Sequence, residues 1–203
     1  MFGLDHDELR VVRRLNTPVR VQNYLETLRY SFDAGNDALR SPRRVLREGS
    51  AHCIEGALLA ATAFWVQGAR PLLLDLRSTP DDLDHVVAPF RAHGCWGAVS
   101  KTNHAVLRYR EPIYRTIREL ALSYVHEYFL DDGRKTMRDY SLPFDLRRYG
   151  SAWITSNDDL WHIAEDLDDS PHRLILSAAQ RRGLRRADPV EIRAGKLTVW
   201  RRR

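Results

Sequence analysis

The chain has 203 residues, 43% hydrophobic and 29% charged, with a formal net charge of +5. That is the balance of a folded globular protein with a full core, and it excludes an intrinsically disordered chain. No apolar run approaches the roughly 20 residues of a membrane span, and the opening MFGLDHDELRVVRR lacks the apolar stretch of a signal peptide, so a cytoplasmic protein with no membrane partner is expected.

In chain order, Leu9, Val12 and Leu15 mark a short amphipathic helix within Asp5–Leu15. Thr17-Pro18 reads as a cap followed by proline at the first helical position, with Val21, Tyr24, Leu25 and Leu28 on one face of the second helix. Ser41-Pro42 repeats the signal and opens a basic turn that Gly49 ends. In the stretch SAHCIEGALLAATAFWVQG, Ser50 is the expected cap, Cys53 the third helical residue and Gly68 the stop. This helix is apolar nearly all round and should be central. Strands are expected in ARPLLLDL, from His85 to Phe90, from Cys95 to Ser100 after the turn Ala92-His93-Gly94, and from His104 to Tyr109. A long amphipathic helix should follow from Pro112 to about Leu130, then a loop to Ser151 and a helix from Ser156 to about Leu167; residues 172–180 read equally as helix or strand. The sum is an α+β fold in which a central helix packs on a small antiparallel sheet with flanking helices.

The +5 charge is concentrated in one segment. Residues 181–203 carry nine Arg or Lys against Asp188 and Glu191, so the preceding 180 residues sum to −2. A single domain over 1–180 with a solvated basic tail over 181–203 is expected, and nucleic acid is not an expected partner.

Two cysteines, Cys53 and Cys95, are too few for a disulfide framework and are read as free thiols. They differ in setting. The first-turn amides of a helix lack intrahelical acceptors and carry partial positive charge, which stabilises a thiolate and can hold an oxyanion. Cys53 is therefore the candidate nucleophile, provided that Glu55 points away from it. His85, at the head of a strand after a polar loop, is the candidate base; His104 is the alternative. Asn103, after the return strand, is the candidate orienting group, with Ser100 and Asp75 as alternatives.

Zinc is a further possibility for His52, Cys53, His85, His93, Cys95 and His104, but neither C-x-x-C nor H-E-x-x-H occurs, so no metal and no cofactor is expected. Glycine-rich phosphate loops are absent from the sequence. Cys95 beside Trp96 reads as sheet packing.

The order Cys at the head of an apolar helix, then GARPLLLDL, then His at the head of a strand, then a Gly-Trp return strand resembles the core of the transglutaminase-like superfamily of papain-related cysteine enzymes, over roughly residues 45–110. Through NTPVRVQNYLETLRY, SPRRVLREGSAHCIEGALLAA and WGAVSKTNHAVLRYREPIYRTIRELALSYVHEYF the chain also resembles a bacterial group of this type with no assigned substrate. The resemblance implies Cys53 as nucleophile and His85 as base, acting on a peptide or other amide with water or an amine as acyl acceptor. The family usually has Asp where this chain has Ser100-Lys101-Thr102-Asn103. That departure keeps open a second expectation, a catalytically inactive binding module on the same fold. Oligomeric state is not legible.

Overall fold

Side-chain caps open the first three helices, two of them, Thr17 and Ser41, as read from the sequence. In a computed structural model, which describes residues 2–32 and 38–201, Asp5 caps α1 (His6–Arg14) and Glu8 completes a capping box. Thr17 caps α2 (Pro18–Thr27) and Ser41 caps α3 (Pro42–Glu48), each with proline in the first turn. Gly49 ends α3 at φ 65°, a left-handed conformation that a Cβ disfavours. Two short strands, β1 (Arg29–Tyr30) and β2 (Ser50–Ala51), then pair in parallel and lead into α4 (Cys53–Val66). Ser50 thus belongs to β2, His52 is the N-cap residue, and Cys53 is the first helical residue rather than the third.

Helix α4 is buried from Ile54 to Phe64. One side packs on α1, α2 and α3, and the other on the main sheet. That sheet comprises β3 (Leu72–Arg77), β4 (His85–Ala92), β5 (Cys95–Val99), β6 (Arg110–Tyr114), β7 (Asp139–Ser141), β8 (Phe144–Asp145) and β9 (His172–Leu174). Its order is β6-β5-β4-β3-β7-β9, with β8 also on β3, and every pairing is antiparallel. Alternation along the strands divides the side chains between two cores. Leu73, Val86, Ala88, Phe90 and Val99 face α4. Leu74, Leu76, Val87 and Ala98 face Leu120, Ala121 and Tyr124, around α5 (Ile117–Leu122). The chain is a mixed helix-and-sheet protein, in keeping with the α+β expectation. Among the described residues no helix is long and apolar enough to cross a membrane.

Four expected elements differ. Residues 104–109 form no strand: Leu107 sits in the left-handed region at φ 59°, which interrupts extended backbone. The long helix from Pro112 shrinks to α5, because Glu111-Pro112-Ile113 is taken by edge strand β6, where proline's missing N–H is tolerated. The expected loop before Ser151 contains β7 and β8. The later helix starts at Trp161 instead of Ser156, as α6 (Trp161–Asp168).

Residues 181–201 also depart from a solvated tail. They continue α7 (Ala178–Arg182), form α8 (Pro189–Gly195), and run back beside residues 103–105, with Ala105 N donating to Leu197 O at 3.0 Å and Val199 N to Asn103 O at 2.9 Å. Arg186 reaches the Asp132 carbonyl and Lys196 reaches Asp131, so part of the basic charge is spent within the fold. Arg202 and Arg203 lie outside the described residues.

The close fit of α4 is testable at Gly56. A Cβ there would lie 2.5 Å from the Cβ of Lys101, an atom that no rotamer change can move away. Gly56→Ala is expected to lower stability by about 1–3 kcal/mol through overpacking, despite alanine's better helix propensity. Urea unfolding measures it; a neutral or stabilising result would mean that α4 and the Lys101 segment are less tightly opposed.

Candidate active site

A cleft of about 820 Å³ opens at the start of α4, and Cys53, Asp75, Asp84, His85, Leu107 and Asp168 are among its lining residues. Cys53 and His85 both line this cleft, although no hydrogen bond joins them among the described residues. Leu76, directly opposite His85 in the sheet, belongs to the core on the far side from α4, so the His85 ring leaves the sheet on that side.

The His85 ring is held by a chain of bonds whose direction is decided by chemistry. Its Nε2 lies 2.8 Å from Ser100 Oγ, and Ser100 Oγ donates to the Leu107 carbonyl at 2.6 Å. A carbonyl only accepts, so the hydroxyl proton is spent there and Oγ must accept from Nε2–H. The neutral ring therefore carries its lone pair on Nδ1. Ser100 is itself fixed from both sides: its N–H donates to Gln22 Oε1 at 3.0 Å, and its carbonyl accepts from Gln22 Nε2 at 2.9 Å.

Asn103, the expected orienting residue, makes no hydrogen bond to His85. Its Nδ2 donates to Trp200 O at 2.9 Å and its Oδ1 accepts from Trp200 N at 2.8 Å, so both amide groups hold the returning C-terminal segment. The reason is register. Ala92 pairs with Cys95 across the turn His93-Gly94, whose φ values of 51° and 79° suit a tight hairpin, and Ala88 pairs with Val99. Continuing that ladder sets Ser100 and Thr102 on the His85 side of the strand and Asn103 on the other. The turn was readable in the sequence and carried this signal. His104 lines the cleft, but its Nδ1 meets the Gly195 carbonyl at 2.9 Å. Asp75 is engaged elsewhere, its Oδ2 lying 3.1 Å from His172 Nε2.

Electrostatics at Cys53 run against a resting thiolate. Burial pushes its pKa up; the amides of Val86 and Ile54 favour the anion, and the negative charges of Asp75 and Glu55 oppose it. Glu55 nonetheless turns away from the sulfur. Its Oε1 accepts from Arg40 N and Nε at 2.8 Å, and its Oε2 from Arg40 Nη2 and His52 N at 3.0 Å, closing the start of α4. Burial likewise drives His85 down to about 4, with Arg110 lowering it further and the Leu107 carbonyl opposing. At neutral pH the site therefore holds a neutral thiol and a neutral imidazole.

Lys101, a residue the sequence did not single out, is 1% exposed. Its Nζ donates to the Leu25 and Leu28 carbonyls at 2.8 and 2.6 Å, at the C-terminal end of α2. The segment Ser100-Lys101-Thr102-Asn103 thus orients His85, seals α2, and clamps the C-terminal segment. No family model matches the chain and no curated protein matches it.

Proposed function

We propose that this chain is a thiol-dependent acyl-transfer or hydrolytic enzyme with a papain/transglutaminase-like core, acting on a peptide or other amide. The observation that carries the reading is the tautomer: Nε2–H committed to Ser100 leaves Nδ1 as the free lone pair of His85, a residue that lines the same cleft as Cys53. Ser100 does here what an acidic residue does in the family, orienting the ring without adding charge.

The step begins from neutral partners. Cys53 Sγ bonds the carbonyl carbon while its proton passes to His85 Nδ1, through one intervening water where the groups are not in direct contact. The carbonyl π electrons move to oxygen, and that oxyanion is stabilised by the Cys53 N–H, which as the first helical amide has no intrahelical acceptor. Collapse breaks the C–N bond as Nδ1 returns the proton to the leaving amine. The thioester is then attacked by water or by a second amine, and the thiol is regenerated.

p-Nitrophenyl acetate tests this without knowledge of the substrate. One equivalent of p-nitrophenol should be released in a burst, accompanied by acetylation of the Cys53 peptide. Cys53→Ala should abolish the burst, and His85→Gln should slow it by roughly 10²-fold or more. Because the thiol is raised and the imidazole is neutral, the rate should climb into the alkaline range with no plateau near neutrality. An undiminished burst in Cys53→Ala refutes the nucleophile. Acylation as fast in His85→Gln as in the parent leaves a binding module as the better reading.

A further inference from the structure

Three carboxylates converge on the wall of the same cleft. Asp75, Asp84 and Asp168 each offer an oxygen, and these three atoms lie within 4.8 Å of one another. They come from three separate segments: β3, the residue before β4, and the last residue of α6. Among the described residues only Asp75 has a side-chain partner from Lys, Arg or His: its Oδ2 lies 3.1 Å from His172 Nε2.

Asp75 is 1% exposed, and its other oxygen, Oδ1, is buried with no hydrogen-bond partner. Leaving a carboxylate oxygen so enclosed and unpaired is costly in a finished structure, and it marks a position where something else bonds. Asp84 is anchored through Oδ1 alone, by Ser78 N at 2.7 Å and Ser78 Oγ at 3.0 Å, with no bond to Oδ2. The Asp168 carboxylate makes no hydrogen bond or ion pair among the described residues. Arg77, the nearby cation, bonds the Asp168 main-chain carbonyl instead. Helix α6 adds a second departure from ordinary charge placement: its end carries Asp166, Asp168 and Asp169 with no basic residue in the last turn. Acids at the negative end of a helix are unfavourable unless a cation sits there.

We propose that Asp75, Asp84 and Asp168 bind a divalent cation of the oxygen-preferring class, such as Ca²⁺, Mg²⁺ or Mn²⁺, on the wall of this cleft. Oxygens sharing one calcium ion at about 2.4 Å stand at most about 4.8 Å apart, so three oxygens that all lie within 4.8 Å of one another are close enough to share an ion. All-carboxylate ligation selects hard cations over zinc, consistent with the absence of cysteine from the trio. His172 holds the buried ligand from behind, the usual partnership of a ligating carboxylate with a hydrogen-bonding neighbour. The site does not depend on the thiol chemistry, since neither its ligands nor its test involve Cys53.

The test is calorimetric titration of the full chain with CaCl₂, MgCl₂ and MnCl₂, with thermal unfolding in parallel. At least one cation should bind saturably at one site per chain and raise the melting temperature. Asp84→Asn and Asp168→Asn, both at exposed positions that spare the fold, should each weaken binding roughly tenfold or more. Asp169→Asn, the adjacent exposed acid, should leave it unchanged. No saturable binding up to 10 mM of any of the three, or binding indifferent to Asp84→Asn and Asp168→Asn, overturns the proposal. So does stabilisation by spermidine in the absence of any metal response, which would assign the acids to an organic cation.

Discussion

Glu55→Ala is expected to lower the unfolding free energy by about 3–5 kcal/mol, the range found when one partner of a buried ion pair is removed. Glu55 is 0% exposed, and its carboxylate accepts four hydrogen bonds, three from Arg40 and one from the His52 amide. Truncation leaves the Arg40 guanidinium, only 11% exposed, facing a void, with Glu48 as its remaining acidic partner at 2.8 Å. It also reopens the first turn of α4 at the residue before Cys53. Replacing both residues, as Arg40→Met with Glu55→Leu, should cost less than the two single changes added together, because no unbalanced charge is then buried. Urea melts of the four proteins measure the coupling. Should Glu55→Ala lose under 1 kcal/mol, water reaches Arg40 and the pair is not the buried anchor described.

Lys101→Ala carries a loss of similar size, about 3–5 kcal/mol, from a cavity beneath α4 together with two unpaired carbonyls at the end of α2. Lys101→Met is the informative companion. Burial pulls the Lys101 pKa down to about 8, Arg108 adds to the fall, and Glu26 opposes it. An amine whose folded pKa lies below its unfolded value binds fewer protons in the folded state between the two. Stability in the parent protein should therefore rise with pH across that window, from about pH 8 towards 10.5, by about 3 kcal/mol in total. Methionine fills the same volume without the charge. Lys101→Met should lose less than the alanine variant and should flatten this pH dependence. An unchanged slope in Lys101→Met would assign the titration to another group.

What could be read from the sequence divides by distance along the chain. The starts of α1, α2 and α3 are written in adjacent residues, a cap followed by proline or by a capping-box glutamate, and they needed no tertiary context. The burial of α4 followed equally from its uninterrupted apolar run. The helix from Pro112 misled because its period was sound: Ile117, Leu120, Ala121 and Tyr124 do pack inward, but Pro112 and Ile113 were claimed by the edge of a sheet. At the site, Cys53 and His85 were legible as types at element ends. Choosing Ser100 over Asn103 required counting back from the His93-Gly94 turn, where a slip of one residue reverses the face. The Asp75–His172 contact and the trio with Asp84 and Asp168 had no local trace, since Asp75 and Asp84 meet Asp168 and His172 across more than 80 residues of chain.

The clamp between Asn103 and Trp200 has a consequence for assembly. Its partners are 97 residues apart, so closing it is a late, entropically expensive event compared with forming the hairpin of β4 and β5. A nascent polypeptide emerging from the ribosome makes residue 107 long before residue 200. The loop whose carbonyl steadies the His85 ring therefore waits without its neighbouring segment while more than 90 further residues are made. The clamp, and with it this edge of the cleft, closes only after residue 200 has been made.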